Sequence, residues 1–161
     1  MPKSVQEAKK TIRNEIRTSP ITLETPIGVI QIGKPLGEGG NALVYSADVG
    51  KGKYVAIKIL AEDCSGRLST KYLRFLDEFR KIILLADTGL VVPNYCMGHL
   101  EIMGDKYPYV VQKQYPYTLD NWKKTNPIKT LQDLLPILFN LIKCIKVIHA
   151  QNIVHRDLKP A

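Results

Sequence analysis

A lysine stands in the middle of an apolar run, Val55-Ala56-Ile57-Lys58-Ile59-Leu60, and no other feature limits the fold of this chain so much. The β-branched residues favour a strand. An ammonium group between Ile57 and Ile59 is costly unless it reaches water or an anion. Either the strand lies at a sheet edge with Lys58 in solvent, or Lys58 meets a negative group within the fold. The residues before the run favour the second arrangement. Val49-Gly50-Lys51-Gly52 reads as a turn between two strands. Ahead of it stands Leu36-Gly37-Glu38-Gly39-Gly40-Asn41-Ala42-Leu43-Val44-Tyr45. Glycines let a backbone approach phosphate oxygens closely and aim its amides at them. Taken alone, this run reads equally well as a glycine-rich hairpin turn.

Lys3 to Thr18 reads as a polar helix, with Val5, Ala8, Ile12 and Ile16 on one stripe. Such a helix packs on the body of the protein or serves a partner. Ser19-Pro20 and Thr25-Pro26 end the pattern, because the residue before proline avoids the helical region. From Ile27 the period changes to two: Ile30 and Ile32 alternate with Gln31 and Gly33, which suggests a strand. Gly28-Val29-Ile30-Gln31-Ile32-Gly33-Lys34 has the glycine and lysine spacing of a P-loop. Pro35 stands where that motif needs a hydroxyl for the metal, and the intervening residues are strand-like, so the P-loop is excluded.

Asp63 to Ser69 is a polar loop, and Ser69 or Thr70 can cap a helix running to about Ala86. Leu73, Leu76, Phe79, Ile83 and Leu84 give it an apolar set. Leu90 to Pro93 is a connection. His99 to Met103 and Tyr107 to Gln112 read as strands around a turn at Gly104-Asp105. Thr118-Leu119-Asp120-Asn121-Trp122 suits a short capped helix. A long helix ends near Ala150, with Leu134, Leu138, Leu141, Ile142, Ile145 and Ile148 on one broad face that this chain cannot cover. Asp133 reads as its cap, which keeps Pro136 in the first turn. His149 and Cys144 read as structural. The chain closes on His155-Arg156-Asp157-Leu158-Lys159-Pro160 and Ala161. A carboxylate flanked by cations can accept a proton from a hydroxyl nucleophile, and the lysine two residues on can face a transferring phosphate.

These parts, in this order, resemble the protein kinases. Gly37, Gly39 and Val44 fall in the family pattern Gly-x-Gly-x-x-Gly-x-Val, with Ala42 at the third glycine and Gly40 as an extra one. Val55-Ala56-Ile57-Lys58 matches the family's third strand, and the closing run resembles its catalytic loop. Lys159 with Pro160 looks like the serine/threonine branch. The resemblance covers about Ile30 to Ala161. It implies an α+β fold: a small lobe of antiparallel sheet plus helix C, then the first helices of a large lobe, incomplete. It divides the chain into an N-terminal helical extension (1–26), small lobe and hinge (27–115) and the start of the large lobe (116–161).

The same resemblance assigns roles. Leu36, Gly37, Glu38, Gly39, Gly40 and Val44 would cover the phosphates of ATP, Ala56 leaves room for adenine, and Lys58 binds the α and β phosphates. Glu78 is implied as the helix C glutamate that pairs with Lys58. The pattern places a bulky apolar residue three positions earlier, where Phe75 stands, and Asp77 is the competing acid. Gln112 would be the gatekeeper behind adenine, and Lys113, Gln114 and Tyr115 the hinge whose backbone bonds the base. Many members carry an acid where Lys113 stands. Asp157 would accept or orient the hydroxyl proton, and Lys159 would stabilise the moving phosphoryl group. Magnesium is the implied metal, with no ligand for it in this chain, because the family's Asn falls one position past Ala161. The expectation is phosphoryl transfer from ATP to Ser or Thr hydroxyls of protein substrates in a completed enzyme, this chain alone being an inactive fragment. The alternatives are a non-catalytic nucleotide-binding or interaction module of pseudokinase type, and a small-molecule kinase of kinase-like fold. The latter tends to differ at the position of Arg156.

Composition excludes several other classes. The 161 residues carry a net charge of +8, but the charges are scattered and read as a solvated basic face, not as a nucleic-acid stripe. Cys64, Cys96 and Cys144 are far apart and form no metal or disulfide pattern. The polar start, Met1-Pro2-Lys3-Ser4, lacks a signal-peptide core, and no run approaches about 18 apolar residues. A cytoplasmic protein without membrane or nucleic-acid partners is the expectation.

Overall fold

The computed structural model describes residues 3–66 and 69–155. The chain divides into two units, one of residues 1–83 with 92–114 and one of residues 84–91 with 115–161. The first unit holds helix α1 (Val5–Thr18), strands β1 (Thr22–Thr25), β2 (Gly28–Glu38), β3 (Ala42–Asp48) and β4 (Tyr54–Leu60), helix α2 (Thr70–Leu84), and strands β5 (Asn94–Ile102) and β6 (Asp105–Lys113). The second holds a 3-10 turn (Ala86–Thr88) and helices α3 (Leu119–Thr125) and α4 (Leu131–Ala150).

The six strands form one sheet in the order β1-β2-β3-β4-β6-β5, with every neighbouring pair antiparallel. This is the α+β, kinase-like small lobe that the sequence implies. β4 is an interior strand, bonded to β3 on one side and β6 on the other. Lys58 is therefore not on a sheet edge. Successive side chains of a strand point to opposite faces. Val55, Ile57 and Ile59 join a core that includes Ala8 and Ile12 of α1, Leu43 and Tyr45 of β3, and Tyr107 and Val111 of β6. Leu60, on the other face, packs with Tyr72 and Phe75 of α2 and Val110 of β6. Both faces of β4 are covered, which explains why its sequence reads as an almost unbroken apolar run.

Helix α1 starts at Val5, two residues after the expected Lys3, because Ser4 caps it. The Glu7 amide donates to Ser4 Oγ (3.2 Å) and the Ser4 amide donates to the Glu7 carboxylate (2.7 Å). Its stripe is packed on the sheet: Ala8 and Ile12 are fully buried, with Val5 and Ile16 against the same core. β1 has no counterpart among the strands expected from the sequence. Its four residues lie between two prolines and pair only with β2, closed by a turn in which Thr25 Oγ1 donates to the Gly28 carbonyl (2.6 Å). β5 starts at Asn94, five residues before the expected strand, and its hairpin turn is Met103-Gly104 and not Gly104-Asp105. Both turn residues have positive φ (53° and 84°), as a two-residue type I′ turn requires, and Asp105 is already paired with Ile102.

Helix α2 is capped by Ser69, whose Oγ accepts from the Tyr72 amide (3.1 Å). Its buried stripe is Tyr72, Phe75, Leu76 and Phe79, whereas Leu73, Ile83 and Leu84 of the expected set are exposed. Tyr72 turns the helix this way, since its hydroxyl meets His99 Nε2 (3.1 Å) while its ring is buried. In the second unit, the α4 cap is Thr130 and not Asp133. Asp133 is the partner of Thr130 in a capping box, and its carboxylate accepts from the Thr130 and Lys129 amides (2.9 and 3.1 Å). The helix thus begins before the expected cap, and Pro136 lies inside it, beyond the first turn. No described residue of α4 is buried; Leu138, Leu141 and Ile142 are exposed. Among the described residues no helix is long and apolar enough to cross a membrane, and all three cysteines are free.

Gly98 of β5 lies opposite Tyr109 of β6, and a methyl group placed on it would stand 2.6 Å from the Tyr109 hydroxyl oxygen. The Tyr109 ring is buried and cannot swing clear. Gly98→Ala is expected to lower stability by about 1–3 kcal/mol through overpacking, measured as a shift of the urea midpoint at constant slope.

Candidate functional site

The strand register brings the expected residues onto one face of the sheet. Val44, Lys58 and Val110 are cross-strand neighbours on β3, β4 and β6, and so are Ser46, Ala56 and Gln112. Val110 and Leu60 of this face pack against α2, while the opposite face carries α1. Val44, Ala56, Lys58 and Gln112 therefore share the α2 face.

On that face Lys58 Nζ donates to Glu78 Oε1 at 2.6 Å. The ammonium also lies 5.8 Å from the centroid of the Phe75 ring, within reach of its π face. Glu78 is positioned by the buried stripe beside it, since Phe75 is three residues earlier on α2 and the two project from adjoining rows. Asp77 points elsewhere and pairs with Lys81 at 2.5 Å. The Lys58 and Glu78 side chains are 27% and 51% exposed, so the pair itself contributes no more than about 1 kcal/mol to stability. A cavity of about 10 Å³ lies beside it, lined by Lys58, Phe75, Glu78, Asn94, Val110 and Gln112 among others. That is room for about one water. Asn94 Oδ1 is buried here without a hydrogen-bond partner. The sequence reading missed Asn94. Its signal was a polar residue opposite Gln112, visible only once the register is known.

The glycine-rich run forms the end of β2, the start of β3 and the turn between them. Gly37 pairs with Val44 and Glu38 with Leu43, and the Gly39 amide donates to the Ala42 carbonyl (2.9 Å). Gly40 and Asn41 form the tip, and the Asn41 carbonyl accepts from the Ala61 amide (2.8 Å). A Cβ added to Gly37, Gly39 or Gly40 would meet nothing within 4 Å, and none of the three has positive φ. Neither the packing nor the backbone of this chain requires glycine there. Leu36 of β2 is exposed. Glu38 forms an ion pair with Arg13 of α1, and Lys9 of α1 donates to the Gly39 carbonyl at 2.6 Å. The sequence reading did not foresee this link, because Lys9 sits in a run of polar residues that looks solvated.

Lys113 ends β6 opposite Val55, and its amide donates to the Pro93 carbonyl (2.9 Å). Gln114 accepts at Oε1 from Ser46 Oγ (2.8 Å), and the two line a cavity of about 500 Å³ with Gln31, Lys34, Asp48 and Tyr54. Lys58 does not line that cavity. Tyr115 belongs to the second unit and is half exposed. Asp157 and Lys159 lie outside the described residues. Among the described residues no group of three His, Cys, Asp or Glu side chains could hold a metal ion.

A family model described as protein kinase domain matches residues 30–161. A probable cell division control protein 7 homolog of Encephalitozoon cuniculi is 29% identical over 157 residues, 96% of this chain and 40% of its own length. The serine/threonine-protein kinase PknB of Mycobacterium leprae is 30% identical over 133 residues, 81% of this chain and 21% of its own. A probable serine/threonine-protein kinase of Streptomyces coelicolor is 32% identical over 140 residues, 83% of this chain and 20% of its own. The chain thus spans between a fifth and two fifths of the length of these relatives.

Lys58→Met is expected to change unfolding free energy by less than about 1 kcal/mol, because the ion pair it removes is partly exposed. Urea denaturation checks this; a loss above about 3 kcal/mol would mark the lysine as a structural element.

Proposed function

The chain belongs to the protein kinase domain family, on its serine/threonine side, and from that premise we propose that residues 27–115 bind ATP for phosphoryl transfer to Ser or Thr hydroxyls of proteins. The observation that carries the reading is the pairing of Lys58 with Glu78 on the face that also holds Val44, Ala56 and Gln112. The ATP supplies the phosphoryl group. Lys58, fixed by Glu78, presents its ammonium to the α and β phosphate oxygens. Amides at the tip of the glycine turn face the phosphates, where a bare backbone admits close approach. Ala56 leaves space for the adenine ring, Gln112 bounds it, and the backbone of 113–115 reads its edge. Leu36 and Val44 close over it.

Asp157 orients the acceptor hydroxyl and takes its proton as the new O–P bond forms and the bond to the ADP oxygen breaks. Lys159 neutralises charge on the moving group. Magnesium bound together with the ATP would neutralise charge on its phosphate oxygens. The protein substrate is a partner of the reaction, with its identity open.

Gly39→Ala and Gly40→Ala separate ligand binding from folding. Neither backbone position has positive φ and neither has a steric neighbour, so each substitution is expected to leave stability unchanged or raise it by about 0.4–1 kcal/mol. ATP affinity is expected to fall severalfold in both, by titration with a fluorescent ATP analogue. Unaltered affinity, or no binding of ATP by the unsubstituted chain, would refute the nucleotide reading.

A further inference from the structure

The sheet separates α1 from the residues assigned to the nucleotide, yet α1 reaches the phosphate turn. Three of its contacts define its seat. Lys3, just before the helix, pairs with Asp105 at the start of β6 (2.5 Å). Ala8 and Ile12 are fully buried against the sheet. Lys9 and Arg13, four residues apart and so on one side of the helix, contact Gly39 and Glu38 at the end of β2. The helix is tied ahead of its first turn, along its stripe and through Lys9 and Arg13. The turn it touches is open by contrast: a Cβ added to Gly37, Gly39 or Gly40 would meet nothing within 4 Å.

Lys9 is unusual among the lysines of a helix this polar, being only 3% exposed. Its ammonium donates to the carbonyl of Gly39 at 2.6 Å. In a planar trans peptide the carbonyl and the following amide point in opposite directions, and the chain has no cis peptide bond among the described residues. A Gly39 carbonyl drawn toward α1 therefore turns the Gly40 N–H away from α1. On the sheet, the side away from α1 is the face that packs against α2 and carries Lys58. A peptide between two glycines rotates more freely than any other, because neither residue has a Cβ to restrict it. Left to itself, this peptide would present its carbonyl to the phosphates part of the time, a repulsive orientation.

We propose that Lys9 is a positioning residue for the phosphate turn: it locks the Gly39–Gly40 peptide so that the Gly40 amide is aimed at a nucleotide phosphate. This rests on the nucleotide reading above. The charge on Lys9 adds to the effect, since a cation bonded to the carbonyl polarises the peptide and strengthens its amide as a donor. Arg13, through Glu38, holds the adjoining strand end against the same helix.

The test compares ATP with adenosine, which lacks phosphates, on the full chain and on Lys9→Met, an apolar side chain of similar length. The substitution is expected to weaken ATP binding about tenfold, the worth of one hydrogen bond to a charged group, with adenosine affinity unchanged within twofold. Amide hydrogen exchange at Gly40 is expected to rise in the same variant. Equal weakening of both ligands would make Lys9 a general structural residue and overturn the proposal, as would no change in either. If the unsubstituted chain binds adenosine and ATP equally, or neither, the nucleotide reading itself fails. Should Lys9→Met not fold, Lys9→Gln keeps a neutral donor, and a severalfold loss confined to ATP is the expected result. A loss shared with adenosine again overturns it.

Discussion

A cation on an interior strand has to be met by an acid from whatever covers that face, and the meeting of Lys58 with Glu78 sets the requirements for the rest of the first unit. β4 is bonded on both sides, so Lys58 projects from a face of the sheet and not from an edge, and remains 27% exposed. The helix over that face must place an acid 2.6 Å from it. The energies decide which feature controls which. The pair is partly exposed and contributes little to stability. Burial of Tyr72 and Phe75, with partial burial of Leu76 and Phe79, contributes on the order of 1.5–3 kcal/mol for each fully buried side chain. Packing therefore seats the helix, and the ion pair is carried into place by it.

The sheet has a division of labour. One face, built from Val55, Ile57, Ile59 and their neighbours with Ala8 and Ile12 of α1, is the larger apolar core. The other face has the smaller α2 cluster and the polar residues assigned to the nucleotide. A strand that must serve both faces alternates between a core residue and a site residue, and β4 does so: Val55, Ile57 and Ile59 against Ala56 and Lys58. The open space at Gly37, Gly39 and Gly40 belongs to the same logic, in contrast with Gly98, where a neighbouring tyrosine occupies the space a side chain would need. The fold requires glycine at Gly98 and leaves room for a side chain at the other three.

Much of this was legible in the sequence where a residue type conflicts with its surroundings. Lys58 in an apolar run called for an anion, and it was this neighbour that turned Gly37 to Gly40 from an ordinary hairpin turn into a candidate phosphate loop. Local signals fared less well where tertiary contacts choose between near-equal options. The buried face of α2 differs from the expected apolar set because Tyr72 anchors it, with its ring buried and its hydroxyl bonded to His99, while Leu73, Ile83 and Leu84 are exposed. The cap of α4 was misplaced because Thr130 and Asp133 act together in a capping box, and either alone fits the pattern. β1 is too short and too flanked by proline to show a period. Lys9 was invisible for a different reason: its partner is a backbone carbonyl 30 positions away, and no side-chain pattern encodes that.

The central claim is that Lys58 is the cation that faces a bound nucleotide. An adenosine derivative bearing an amine-reactive electrophile in place of its phosphates tests it directly, with the labelled lysine identified by peptide mass spectrometry. The account predicts labelling at Lys58 ahead of the other lysines, suppressed by excess ATP and abolished in Lys58→Met. Labelling spread over the surface lysines and indifferent to ATP would contradict it.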